Sequence, residues 1–166
     1  ACWRFHFEQS NIRFTDGFCG DKDFETKSLS DFIVSKNNGE AAYQLAVAVD
    51  DAAQGVTEVL RGDDLLDSAA RQIAIYQALG VDVPTFKHVP LVAGEDGKRL
   101  AKRHGDTSLN HFKQHNVSPQ KIIGWLAYAS GLTRDLHECL PHQLLGDFDL
   151  KKLDAKPLVW RGDFTA

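Results

Sequence analysis

The stretch Lys98-Arg99-Leu100-Ala101-Lys102-Arg103-His104-Gly105 places four fixed cations and a histidine within eight residues, directly after the flexible Gly94-Glu95-Asp96-Gly97. A loop of this kind can fold over a triphosphate and neutralise the charge that develops during phosphoryl or adenylyl transfer. On residue types alone, a solvated basic surface is the alternative. Upstream, Arg61 follows Tyr43 by 18 positions. Arginine offers a planar fork that can grip a carboxylate at two points, and tyrosine adds a directed hydroxyl. A core tyrosine and an arginine paired with Asp63 or Asp64 would account for the same residues. Asp50 and Asp51 close an apolar run, where paired carboxylates could bind a metal or serve as acid and base. They could equally fix the turn to the next segment by accepting backbone hydrogen bonds. No nucleophile stands out: Ser68 reads as a helix cap, and no serine or cysteine occupies a strand-to-helix elbow.

Metal chemistry is not indicated. Cys2, Cys19 and Cys139 lie far apart, fit no C-x-x-C spacing and leave one over from any disulfide, so reduced structural thiols are expected. His6, His111, His115, His137 and His142 show no pairing that suggests zinc.

These residues must be positioned by a mixed set of elements. Residues 3–7 and 11–14 alternate apolar and polar side chains and predict a strand pair or hairpin, with a turn at Asp16-Gly17. Residues 31–36 predict a further strand, closed by the turn Asn37-Asn38-Gly39. From Ala41 to Val49 the chain is nearly all apolar, as in a segment covered on both sides, and residues 56–60 form a second such run. Asp67 or Ser68 can cap a helix that carries Ile73, Tyr76 and Leu79 and stops at Gly80. A strand over 86–92 completes an order of apolar run, helix and apolar run that suits a parallel sheet. After Gly105 the character turns helical: Ser118 as cap and Pro119 at the first helical position open a helix stopped by Gly131, and a short helix is expected over 141–145. The fold class is therefore α/β, half of a doubly wound domain over 1–105 followed by a helical region over 106–166.

With 166 residues, 43% hydrophobic and 25% charged, the chain has the make-up of one globular domain able to bury a core, which excludes disorder as its main state. No apolar run approaches the roughly 20 residues that span a bilayer, and the opening lacks the apolar centre of a signal peptide. A cytoplasmic location is expected. The net charge of −4 argues against general coating of nucleic acid, while a locally basic face could still meet phosphates. The chain contains no methionine, even at position 1, and opens in what reads as mid-strand. It is expected to be a piece of a longer protein.

Taken together, Tyr43-Gln-Leu-Ala46, Arg61-Gly-Asp-Asp-Leu-Leu-Asp-Ser68 and the basic loop resemble the second half of the catalytic domain of a class I aminoacyl-tRNA synthetase specific for glutamate, over about residues 4 to 132. Within that family the wording is most similar to the branch that glutamylates queuosine, a modified anticodon base of tRNA(Asp). Leu65 stands near where ordinary glutamyl-tRNA synthetases usually carry a histidine. The resemblance implies a Rossmann-like fold, ATP (with magnesium) and glutamate as substrates, the anticodon region of tRNA(Asp) as partner, and a monomer. It places Arg99, Leu100, Ala101, Lys102 and Arg103 on ATP in the position of the KMSKS signature, with Lys102 as the catalytic lysine and alanine at 101 where serine is common. It places Tyr43 and Arg61 on glutamate. His88 either lines the ATP side or is a satisfied structural histidine. The family's first half, with its His-x-Gly-His motif and cysteine zinc site, has no counterpart in these residues, so the isolated chain is not expected to activate glutamate. A fragment of an ordinary glutamyl-tRNA synthetase and a non-catalytic half-synthetase that binds tRNA are the alternatives.

Overall fold

The computed structural model describes residues 1–100, 107–146 and 148–164. The chain divides into two compact units, Ala1–Val89 and Pro90–Ala166. The boundary expected from composition, between 105 and 106, lies outside the described residues.

In the first unit, β1 (Trp3–Phe5) pairs antiparallel with β4 (Phe32–Ser35), and β2 (Asn11–Asp16) with β3 (Gly20–Glu25). The two strands expected near the start exist but do not pair with each other. Phe5, Phe7 and Phe32 supply the reason: their rings gather at 5.3–5.6 Å, which holds the first strand against β4. The turn at Asp16-Gly17 closes the β2–β3 hairpin instead, and one helical turn, α1 (Thr26–Leu29), leads on to β4.

The apolar run from Ala41 is corrected by the structure. It is not a segment covered on both sides but the start of helix α2 (Tyr43–Gln54), with only Ala48 fully buried and Tyr43 and Val49 exposed. An unbroken apolar run carries both the strand and the helix period. Length, alanine content and the left-handed Gly55 at the C-terminus select the helix, whose Leu45, Ala48 and Ala52 face the core.

Helix α3 (Leu66–Leu79) lies between the parallel strands β5 (Glu58–Gly62) and β6 (Thr85–Val89), in the expected order. It is buried almost all round. Ala69, Ala70 and Ala74 let α2 and β2 approach closely, while Ile73, Ile75 and Tyr76 each remove a side chain from water, contributing roughly 1.5–3 kcal/mol apiece. Gly80 ends the helix in the left-handed conformation (φ 66°), as expected. Ser68 is not its cap. Ser68 is buried and its hydroxyl accepts from Gln44 Nε2 (3.0 Å), while Gln72 Nε2 donates to Gln44 Oε1 (2.9 Å), a polar strap between α2 and α3. The strand expected over 86–92 stops at Val89, because Pro90 has no N–H for the ladder.

The second unit opens with β7 (Val92–Gly94), which pairs in parallel with β8 (Leu158–Trp160). Between them run α4 (Leu109–Gln114), α5 (Pro119–Ala129) and α6 (Pro141–Leu144). The Ser118 hydroxyl accepts from Lys121 N (3.0 Å), the expected cap. The region beyond 106 is not purely helical, since β8 closes it. Trp125 meets Trp160 edge-on at 5.0 Å, and Phe112 and Phe164 complete the cluster. Gly124 is required where α5 passes the 137–138 backbone, since a Cβ there would enter the His137 carbonyl.

A buried carboxylate ties the first unit together. Asp16 Oδ1 accepts from the backbone N–H of Phe18 (3.0 Å), Cys19 (2.8 Å) and His88 (3.1 Å), and Oδ2 pairs with His88 Nδ1 (2.6 Å). Burial raises the carboxyl's affinity for a proton, but these hydrogen bonds together outweigh it and hold Asp16 below its ordinary 3.8.

Two outcomes follow. Gly124→Ala should destabilise the second unit by about 2 kcal/mol or more, read as a lower denaturant midpoint, because backbone must move to admit the methyl; an unchanged midpoint would rule out the close approach. Asp16→Asn should cost about 2–4 kcal/mol at neutral pH. A carboxylate with a depressed folded value stabilises fully above its unfolded value and ceases to do so as pH falls through the folded one. The gap between wild type and variant should therefore narrow on acidification below 3.8, and a gap independent of pH would show that the charge of Asp16 carries none of it.

Candidate active site

Parallel pairing of β5 with β6 sets Arg61 directly beside His88. Arg61 Nε donates to His88 Nε2 (3.0 Å), and Nη2 donates to the Leu65 carbonyl (3.2 Å), which the 3-10 turn Asp63–Leu65 carries back toward it. Because a guanidinium only donates, His88 Nε2 must accept, so the ring proton sits on Nδ1 and points to Asp16. His88 is thus the neutral Nδ1–H tautomer, with its side chain fully enclosed. Of the two readings open for His88, the structure gives the satisfied structural one. Phe86 stacks on the His88 ring (6.0 Å) and offers its face to the guanidinium, with Arg61 Cζ 5.1 Å from the ring centre.

Burial pulls Arg61 below its ordinary basicity, and Tyr43, Asp51, Tyr76 and Asp16 act in the opposite direction. Tyr43 is 58% exposed at the first turn of α2, not a core residue, and acts on Arg61 only through longer-range electrostatics. Burial, reinforced by the Asp51 carboxylate, raises Tyr76 above the usual phenol value, with Arg61 opposing. Asp50 and Asp51 lie inside α2, so they do not fix the next turn through their carboxylates. That turn is made by the Asp51 main-chain carbonyl, which accepts from Val56 N (2.9 Å), and by Gly55.

In the second unit, the segment 94–97 is a closed turn and not a loose tether. Gly94 N donates to Lys98 O (2.9 Å), Leu100 N to Val92 O (2.9 Å), and Gly97 adopts φ +70°, so Arg99 and Leu100 run antiparallel to β7. Ala101, Lys102, Arg103 and His104 lie outside the described residues. Among the described residues no three metal-ligating side chains converge, and the cysteines do not fit a zinc site: Cys2 is exposed, Cys139 is buried, and Cys19 Sγ donates to the His88 carbonyl (3.2 Å).

Sequence reasoning passes over Asp16 as a site residue. Its one local signal is the Asp-Gly turn, which marks a hairpin and says nothing of a histidine 72 positions away.

Residues 1–155 match the catalytic domain of the class I tRNA synthetases for E and Q. The chain is 46% identical over 155 residues to a glutamyl-Q tRNA(Asp) synthetase of Symbiobacterium thermophilum, covering 93% of this chain and 48% of that protein. It is 43% identical over 172 aligned residues to one of Rhodopirellula baltica, covering 95% and 52%. A crystal structure of a glutamate tRNA ligase from Elizabethkingia meningosepticum in complex with its amino acid superposes with a TM-score of 0.80 at 26% identity, over 94% of this chain and 35% of that one. The chain spans about half the length of the curated relatives it matches. The parallel β5–α3–β6 unit, the β2–β3 hairpin and the residue match agree: this chain belongs to the class I tRNA synthetases for glutamate and glutamine, as part of their catalytic domain.

Proposed function

We propose that this chain is the glutamate-holding half of an enzyme that activates glutamate with ATP and passes the glutamyl group to queuosine in the anticodon of tRNA(Asp). The observation that carries the reading is Arg61, a partly buried guanidinium held by His88 and Leu65 whose Nη1 has no hydrogen-bond partner among the described residues. A cation held in place with donors to spare is suited to receive a carboxylate. The similarity to two glutamyl-Q tRNA(Asp) synthetases supports the choice of acceptor, as does Leu65 after the arginine.

In the first step a carboxylate oxygen of glutamate attacks the α-phosphorus of ATP, forming the mixed anhydride as pyrophosphate leaves. In the second, a hydroxyl of queuosine attacks the anhydride carbonyl and AMP departs with the electron pair of the broken bond. Arg61 and Tyr43 orient the amino acid, which lowers the barrier by fixing the reactants' geometry. Arg99, Leu100, Ala101, Lys102 and Arg103 cover ATP, Lys102 neutralising charge that grows on the phosphates. Our reading takes the protein to act with ATP and magnesium, as a cytoplasmic monomer.

The test uses the full-length natural protein that carries these residues. It should catalyse glutamate-dependent exchange of pyrophosphate into ATP without tRNA, and should load glutamate onto queuosine-containing tRNA(Asp). Arg61→Ala should lower glutamate-dependent exchange about 100-fold, the loss of a charge-assisted contact. Exchange that requires tRNA, with glutamate on a 3′ end, would mean an ordinary glutamyl-tRNA synthetase. No exchange at all would leave a non-catalytic tRNA-binding module. The 166-residue chain alone should show none, and exchange by it would refute the division of labour proposed here.

A further inference from the structure

We propose that Asp16 and His88 are positioning residues for the substrate arginine: Asp16 fixes the His88 tautomer, and His88 in turn occupies the Nε of Arg61, so that only the end-on Nη1/Nη2 edge can receive a carboxylate. The proposal rests on Arg61 being the residue that binds glutamate.

A guanidinium has five N–H donors and two edges suited to a carboxylate, the side edge through Nε and Nη2 and the end edge through Nη1 and Nη2. Here the side edge is already taken. Nε donates to His88 Nε2 (3.0 Å), and one Nη2–H goes to the Leu65 carbonyl (3.2 Å). Among the described residues one Nη1–H and the second Nη2–H remain for the end edge, while the other Nη1–H points back toward Cδ. Phe86 covers one face of the group at 5.1 Å, so rotation out of this plane would forfeit that contact.

What makes the arrangement one-directional is the tautomer. If the ring proton moved to Nε2, it would oppose the Arg61 Nε–H, donor against donor. Asp16 prevents this by accepting from Nδ1 at 2.6 Å, and is itself pinned by three backbone N–H groups, two of them in the turn at residues 18 and 19. Asp16 and both ring nitrogens of His88 are hydrogen-bonded, and the two side chains are closed to solvent, so nothing outside the fold can substitute for a lost member. This is the logic by which a second layer of hydrogen bonds orients a residue that touches ligand.

The variants Asp16→Asn, His88→Asn, His88→Gln and Arg61→Ala are compared in the full-length protein by glutamate-dependent pyrophosphate exchange, with KM measured for glutamate and for ATP. The amide introduced by Asp16→Asn would turn an N–H toward Nδ1 and reverse the tautomer, and the shorter side chain of His88→Asn cannot reach Arg61. Both should raise the glutamate KM about tenfold or more, the range for a lost hydrogen bond to a charged group, with the ATP KM unchanged. His88→Gln can place an amide oxygen where Nε2 stood and should recover most of the affinity. Ring-nitrogen NMR of the wild-type protein should show His88 protonated on Nδ1 only, a readout that holds even if Asp16→Asn fails to fold. The proposal is overturned if His88 carries its proton on Nε2, if His88→Gln is no better than His88→Asn, or if the His88 variants alter both KM values alike while Arg61→Ala removes glutamate dependence. If Arg61→Ala leaves the glutamate KM untouched, the glutamate role of Arg61 falls and this proposal falls with it.

Discussion

The enclosed contact between Asp16 and His88 is the constraint on which the first unit depends. Taking a carboxylate fully out of water costs several kcal/mol even after the surroundings relax. Four donors meet Asp16, three from backbone and one from the imidazole, and hydrogen bonds to a charged acceptor contribute about 1.5–3 kcal/mol each. The donors win, but only if all are present together. That condition joins segments remote in sequence: the turn after β2 must close as it does, β6 must lie against it, and β5 must pair in parallel register to bring Arg61 to the other ring nitrogen. Gly17 N donates to the Phe86 carbonyl (2.8 Å), so the backbone makes the same connection independently.

The placement of Tyr43 follows from a different requirement. Its helix is anchored through Leu45, Ala48 and Ala52 on one face and through the Gln44, Gln72 and Ser68 strap on the adjoining one. With Gln44 turned toward α3, the preceding residue must point away from it. Tyr43 is therefore exposed by the geometry of α2 itself, and a large aromatic side chain left in solvent near an arginine is available for contact with something other than its own core. Gln72 is 2% exposed and donates to Gln44 Oε1, so its loss would loosen α2 and α3 together.

Local chemistry is legible wherever a residue type dictates a backbone state. The Asp16-Gly17 turn, the stop at Gly80, and Ser118 followed by Pro119 all act within a few positions of themselves. The run from Ala41 to Val49 misleads because nearly every position is apolar, which erases the difference between periods of two and 3.6. The pairing of the first strand with β4 instead of β2 depends on three phenylalanines meeting across 27 positions, and strand β8 is three residues long; neither leaves a local mark. Of the proposed site, Tyr43 and Arg61 can be picked out only through family resemblance, since residue types alone favour a core tyrosine and a paired arginine. Asp16 is invisible as a site residue because a turn aspartate and a hydrogen-bonded buried aspartate have the same letter.

On the reading of Arg61 as the glutamate receptor, its neighbours also bear on selectivity. An arginine free to rotate could meet the amide of glutamine by offering one N–H to its oxygen and swinging the rest of the fork away from the amide nitrogen. Arg61 cannot swing without breaking its bonds to His88 and Leu65 and leaving the Phe86 face. The end edge presents donors only, so an amide nitrogen would bring donors against donors in a partly buried place, at a cost on the order of 2–3 kcal/mol for each group left unpaired. A lysine would carry the same charge without this consequence, because its ammonium can follow one oxygen and ignore the other atom. Discrimination between an acid and its amide then comes from how firmly the guanidinium is held, which returns the question to the enclosed carboxylate behind it.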